Sequence, residues 1–260
     1  MLTEFSNKAG QSAGARVVTR FKAFWIHLSL TALVILSYTI IVRYFWYPGD
    51  LFQLERVWEV MIVVFGVDLV LGPSMTLVLF KPGKKGLKFD MSMVLVMQIV
   101  ALSWGVWVTY SERPLYITYD GDIMFSSIPA SKVIYSPMTP DNLRRGGQQG
   151  PMLAFLDLPK DPKQLYEIVE KAHSAGALVT GQTQYYKTLA EKSAELHRLS
   201  IDIKERLVIY PGYKPSLNRF LGNVGEPEEA FLFYPLEGRG LMAILVLRKD
   251  DLSFQGILFE

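Results

Sequence analysis

The sequence predicts a membrane protein with three N-terminal transmembrane helices followed by a mixed α+β extracytoplasmic domain. Three observations carry this prediction. Apolar runs occur at residues 23–42, 60–80 and 91–110, each close to the ~20 residues that a hydrocarbon core requires. Charge divides along the same line: residues 1–110 hold ten Lys/Arg against six Asp/Glu, net +4, whereas residues 111–260 hold seventeen against nineteen, net −2. Beyond residue 110 the apolar residues take up strand-like or helical spacing, as in an ordinary globular domain. The expected divisions are a cytoplasmic tail, 1–22, a transmembrane region, 23–110, and a periplasmic α+β domain, 111–260.

Residues 1–19 are polar and lack apolar periodicity, so they read as a loose tail. Arg16, Arg20 and Lys22 precede the first run. Its length, and the lack of an Ala-x-Ala-like site before Tyr44, favour a retained helix over a cleaved signal. The loop 43–59 carries Trp46, Tyr47 and Trp58, residues suited to a bilayer interface, and it is poorer in basic residues than the tail. It is therefore placed outside. Between Glu59 and Lys81 the only ionisable side chain is Asp68. The run then ends on Lys81, Lys84, Lys85 and Lys88 with no intervening carboxylate, and these lysines anchor the cytoplasmic side. Asp90 stands at the N-cap of the third run, Met91–Tyr110, and that run carries residues 111–260 to the outer face. In a bacterial inner membrane the N-terminus is then cytoplasmic and the C-terminal domain periplasmic.

In that domain, Leu115–Tyr119 and Asp122–Ser126 read as a hairpin around Asp120-Gly121, with a further strand at Lys132–Tyr135. The Pro/Gly-rich stretch Ser136–Pro151, with Arg144-Arg145-Gly-Gly-Gln-Gln-Gly150, reads as a flexible loop. A strand comes next at Met152–Leu158. Helical periodicity covers Asp161–Ala175, with Leu165, Ile168, Val169 and Ala172 inward, and then 182–207, with Leu189, Leu196, Leu199 and Ile203 inward. Strands at Ala230–Pro235, Leu241–Arg248 and Phe254–Phe259 close the chain, with turns at Glu237-Gly238 and Asp250-Asp251.

The absence of cysteine excludes disulfides, thiolate catalysis and cysteine metal sites. The formal charge of +2 is membrane-flanking, so no nucleic-acid partner follows from it. There is no His-Glu-x-x-His, Gly-x-Ser-x-Gly or phosphate-loop motif. The acid pairs Asp120/Asp122 and Asp250/Asp251 fall in turns, where backbone reasons favour them. His27 lies in the first run, while His173 and His197 have polar neighbours. No catalytic residue, metal site or cofactor is expected, and the chain is read as a non-enzyme.

Asp68 is the leading candidate for function. An acid inside a span costs about 3 kcal/mol on insertion scales and usually faces protein or water. Gly72 and Thr76 lie one and two turns further along the same face, a small, polar stripe suited to close helix packing. Pro73 should kink the helix and free a carbonyl for a neighbouring helix. Asp68 then either bonds to another span of this chain, at His27 or Gln98, or meets a partner's transmembrane helix. On the second reading Asp68, Gly72, Pro73 and Thr76 form an intramembrane partner site.

The segments Arg20-Phe-Lys-Ala-Phe-x-Ile-His27, Trp46-Tyr-Pro-Gly49 and Gly66-Val-Asp68-x-Val-Leu-Gly-Pro73-x-x-Thr76-Leu, with the lysine loop, Asp90, Gln98–Gly105 and Arg113-Pro114, resemble the type IV pilin accessory proteins of the TfpX/TfpZ kind. The resemblance covers about the first 115 residues; the outer domain is similar only in general form, chiefly from Phe233-Tyr-Pro-Leu236 onward. It implies an inner-membrane accessory factor or chaperone whose partners are a membrane-stored type IV pilin and lipid. It brings no catalytic residues. From a different class, an immunity protein neutralising a periplasmic or membrane-acting toxin would use three spans and an outer domain equally well. A membrane enzyme acting on lipid or cell wall would need convergent polar residues in the outer domain, and no such constellation is visible.

Overall fold

The computed structural model describes residues 19–121, 123–147 and 149–260. The expected tail, 1–18 with Arg16, and the single residues Asp122 and Gln148 lie outside the described residues. Three helical stretches among the described residues, Arg20–Trp46, Val57–Leu79 and Leu87–Ser111, are long and apolar enough to cross a membrane. The first is α1 (Arg20–Ile41), which ends in a π turn, Val42–Trp46. A short α2 (Leu51–Leu54) comes after it. The second stretch starts as α3 (Val57–Phe65), passes through a π turn, Gly66–Leu71, and continues as α4 (Gly72–Leu79); the third is α5 (Leu87–Ser111).

The kink expected at Pro73 takes the form of that π turn. Pro73 has no N–H for the residue 69 carbonyl, and its ring crowds that oxygen. The turn widens, and the Gly72 N–H bonds to the Val67 carbonyl. Asp90 does not cap α5, contrary to expectation. Gly86, at φ +87°, turns the lysine loop into the helix three residues earlier. The Asp90 N–H bonds to the Gly86 carbonyl at 3.1 Å, while its carboxylate pairs with Lys84 at 2.5 Å.

By internal contacts the chain forms two compact units. The first takes residues up to Leu36 together with Val64–Ser103, the second Ser37–Val63 and Trp104–Glu260. In the first, the side chains that do not face other helices are large and apolar, for example Trp25, Leu33, Val78 and Val100.

The second unit is built on an eight-stranded sheet. β1 (Pro114–Tyr119) and β2 (Phe125–Pro129) form the expected hairpin. β2 starts late because the Asp120 carboxylate accepts the Ile123 and Met124 N–H groups at 2.9 and 3.1 Å and holds them in the turn. The strand expected at Lys132–Tyr135 is absent: Ala130–Lys132 is a 3-10 turn, and Ile134 makes an isolated bridge to Gln182. Inside the expected loop, β3 (Arg144–Arg145) pairs antiparallel with β4 (Met152–Leu156), which β5 (Tyr186–Lys187) also joins. β6 (Phe231–Glu237), β7 (Met242–Arg248) and β8 (Phe254–Leu258) form an antiparallel meander. The order is β3-β4-β1-β2-β6-β7-β8, with β1/β4 and β2/β6 parallel. Arg144 reaches Asp251 at 3.4 Å, so the two ends of the curled sheet approach one another.

α6 (Pro162–Ser174) starts at Asp161, whose carboxylate accepts the Gln164 N–H. It buries Ile168 and Ala172, but Leu165 and Val169, expected inward, are exposed. The helix expected over 182–207 is broken into β5, α7 (Ser193–Leu199) and α8 (Ile203–Ile209). β6 captures the backbone between the helices: Ile201 N–H donates to the Phe233 carbonyl at 2.9 Å, and Ser200 Oγ accepts the Phe233 N–H at 3.0 Å. Asp202 then caps α8. Leu189, Leu196 and Ile203 are buried as expected, and Leu199 is half-buried. α9 (Lys214–Val224) carries a proline in its first turn and ends at Gly225 with φ +71°.

Both faces of the sheet are covered. One packs Phe231, Phe233, Ile244 and Val246 against Ile203, Tyr213 and Leu217, and Tyr116, Ala154 and Leu156 against Leu143 and Tyr186. By strand alternation the other carries Tyr119, Phe125, Phe155 and Tyr234, whose rings pack at centroid distances of 5.1 to 6.3 Å.

Candidate functional site

The predicted site residues meet in a polar network inside the first unit. His27 on α1 places Nδ1 2.6 Å from Thr76 Oγ1 and Nε2 2.7 Å from Gln98 Oε1. Gln98 Nε2 on α5 donates to the Asp68 main-chain carbonyl at 3.1 Å. All three spans therefore share one network. With its NH₂ donating, Gln98 must accept at Oε1, so His27 Nε2 carries a proton. A neutral imidazole then accepts at Nδ1 from Thr76, whose hydroxyl also stands 3.2 Å from the Gly72 carbonyl.

The π turn makes this possible. In an unbroken helix the Asp68 carbonyl would accept the residue 72 N–H, but that group is bonded to Val67, and Pro73 has none to offer. The orphaned carbonyl is the acceptor that Gln98 uses. Gly72 makes the room: a Cβ there would stand 2.1 Å from Gln98 Nε2. Asp68, Gly72, Pro73 and Thr76 are all buried, Asp68 to 2% exposure. The expected bond from His27 or Gln98 to the Asp68 side chain is not formed, and neither carboxylate oxygen has a partner among the described residues. The exposed part of the same stretch is Val70, Leu71, Met75 and Val78. Lys81, Lys84, Lys85 and Lys88 lie exposed around the turn between α4 and α5.

A second arrangement, missed in the sequence, lies in the second unit. Residues 47–57 pack into that unit, with Tyr47, Leu51, Leu54 and Val57 all buried. Tyr47, expected at the bilayer interface, donates its hydroxyl to the Thr109 carbonyl at 2.8 Å; Trp58 stays exposed. Leu54 seats against Gly238, where a Cβ would come within 2.5 Å of Leu54 Cγ and 2.6 Å of its carbonyl oxygen. The Asp50 carboxylate accepts the Ile257 N–H at 3.4 Å.

Two clefts border α2. One, ≈ 290 Å³, lies between Pro48–Leu51, Gly146, Gly147, Gln149, Gly150 and Pro151, and Ile117, Phe254 and Ile257. The other, ≈ 240 Å³, has Tyr47, Glu55, Glu112, Ser127 and Arg239 among its polar walls. Burial pushes the Glu55 carboxyl above its ordinary range, with partial offset from Ser127 and from the main-chain amide and charge of Arg239. Asp50 is also raised by burial, offset by the Ile257 amide and Arg43. No motif announces Glu55; only the fold brings it beside Glu112 and Arg239. Among the described residues no group of three or more His, Asp or Glu is placed to hold a metal ion.

These features define a polytopic membrane protein whose apolar helices interlock through buried polar groups and whose remaining chain forms a curled sheet flanked by helices. Its sequence is similar to fimbrial assembly proteins of Dichelobacter nodosus. The serogroup E1 protein is 25% identical over 115 residues, covering 40% of this chain and 45% of the relative. The serogroup I protein is 27% identical over 113 residues, covering 39% and 43%. The protein of serogroups C1 and C2 is 26% identical over 113 residues, covering 39% and 85%. The chain thus spans less than half the length of the first two relatives. No family model and no solved structure matches the chain. The similarity supports a place among fimbrial or pilus assembly proteins.

Proposed function

We propose that the protein is an inner-membrane accessory factor of the TfpX/TfpZ kind that holds a type IV pilin before polymerisation and performs no catalytic step. The observation carrying this reading is the similarity to three fimbrial assembly proteins. Three apolar helices support it, since a membrane-stored subunit needs a bilayer partner. In this reading the N-terminus and the lysines at 81, 84, 85 and 88 are cytoplasmic and the sheet domain is periplasmic. Asp68, Gly72, Pro73 and Thr76 set the shape of the contacting span, and the pilin helix meets the exposed Val70, Leu71, Met75 and Val78 beside them. A second, weak contact from the sheet domain to the pilin head would raise avidity without either contact being tight.

Crosslinking a C-terminally tagged chain in native membranes, followed by mass spectrometry, tests the proposal. Pilin should dominate the captured proteins. Capture of a toxin without pilin would replace this reading with the immunity one. Asp68→Leu should insert normally yet capture less pilin, because the buried site of the unpartnered carboxylate would have to take a bulkier, branched apolar side chain and the contacting face beside it would shift; unchanged capture removes the intramembrane contact from the proposal.

A further inference from the structure

The cleft between Glu55 and Arg239 has properties that its own side chains do not satisfy. Glu55 is 9% exposed, and its Oε1 makes no hydrogen bond among the described residues. The Ser127 hydroxyl and the Arg239 main-chain amide stand beside the carboxylate and only partly offset the cost of its burial. Buried polar atoms are normally paired, and a carboxylate oxygen left without a full partner at the wall of a cleft is a place for a further donor. Glu112 on the cleft wall is half-buried and already accepts from Ser131 at 2.8 Å, keeping its second oxygen in reserve. Arg239 is exposed and forms no ion pair with either acid. Two carboxylates and one guanidinium therefore share one small opening.

The rest of the lining says where this opening lies. Val57 and Val60 belong to the first turn of one apolar helix, and Val108 and Thr109 to the last turn of another. A cleft walled by the ends of two membrane-spanning helices sits at the depth of lipid headgroups. Its volume of ≈ 240 Å³ is below that of pockets for drug-sized ligands.

We propose that this cleft binds the headgroup of a phospholipid carrying a primary amine. The ammonium lies between Glu55 and Glu112, the phosphate meets Arg239, and the first acyl carbons run along Val57, Val60 and Val108. A primary ammonium has three N–H donors for the carboxylates, whereas a quaternary choline has none, so the site selects ethanolamine over choline headgroups. A headgroup with an added carboxylate is repelled by the acid pair. Lipid selection at this cleft is independent of whether the protein holds a pilin.

The test uses the full chain purified in detergent and transferred to nanodiscs of equimolar phosphatidylethanolamine and phosphatidylcholine, with retained lipid measured by native mass spectrometry. Ethanolamine lipid should be retained roughly tenfold over choline lipid, the preference one charge-assisted hydrogen bond supplies. Glu112→Gln should reduce that preference severalfold and Arg239→Ala should lower retention of both lipids severalfold, each, being outside the core, leaving the unfolding temperature of lipid-free protein unchanged. Equal retention of the two lipids overturns the proposal. So does an unchanged preference in Glu112→Gln, unchanged total retention in Arg239→Ala, or a lysine peptide that displaces the retained lipid at equal concentration, which would mark the cleft as a protein-binding site.

Discussion

A methyl group on Gly72 would occupy the place of the Gln98 amide, so Gly72→Ala must push that amide away from both His27 and the Asp68 carbonyl. Overpacking of this kind costs about 1–3 kcal/mol. Gln98→Ala alone should cost roughly 0.6–1.7 kcal/mol, the range for interhelical hydrogen bonds in membranes. In the double variant the two losses should not add, because the shortened side chain at position 98 leaves room for the new methyl; thermal unfolding in detergent gives the cycle. Glu55 supports a pH prediction. Its folded-state value is raised above 4.5, so between 4.5 and that raised value the native state holds more protons than the unfolded chain. Stability from this group is greatest below 4.5 and falls as pH rises through the folded value. Asp50 acts in the same direction above 3.8. Glu55→Gln should therefore flatten the decline of unfolding temperature toward neutral pH and raise its value at pH 7. Glu226, lowered by the Arg248 hydrogen bonds, has the opposite sign and loses its contribution as pH falls through its depressed value. That an acid within a span would be buried in protein was readable from cost alone. Which of its groups would be bonded was not, because that depends on the carbonyl Pro73 leaves free five residues along.

At the scale of elements, the proline and the π turn before it act together. Pro73→Ala restores an N–H and allows the turn to close to α geometry, a change that advances the helix by one residue, or about 100°. Asp68 would then rotate away from Gln98. Cysteines placed at Val70 and at Asp68 in a cysteine-free chain should reverse their labelling by a membrane-permeant maleimide, while unchanged labelling would mean that the tertiary packing holds the π turn without the proline. Next to the sheet, Gly238→Ala should unseat Leu54 and open residues 47–57 to limited proteolysis under conditions in which the parent chain is expected to stay uncut there. The closing meander was legible because Phe231–Glu237 and Met242–Arg248 are continuous apolar runs ended by turn residues. The region 182–207 misled because Leu189, Leu196 and Ile203 fall at helix-compatible spacing although β6 holds the backbone at Ser200–Ile201. Periodicity reports which side chains are buried and is blind to a strand claiming the main chain between them.

For the whole molecule, the three apolar runs and the charge division gave the architecture, whereas the membership of residues 47–57 in the sheet unit could not be read. That segment contributes Tyr47, Leu51, Leu54 and Val57 to burial, apolar residues that suit a membrane-surface loop equally well. A domain cut at residue 111 should therefore be defective. Residues 111–260 expressed alone should bind a hydrophobic dye and unfold at lower temperature than the same segment with residues 47–57 linked to it; equal stability would show the seated loop to be dispensable. The bond from Asp50 to Ile257 joins positions 207 residues apart. At ordinary synthesis rates that interval is about 10–40 s, during which the early loop has been made and its seat has not. A nascent chain that has reached residue 230 lacks β6, β7 and β8, and with them Gly238 and Ile257. The loop therefore has to wait, exposed, until the strands that seat it have been made, and any product interrupted before Ile257 leaves its early apolar residues without their cover.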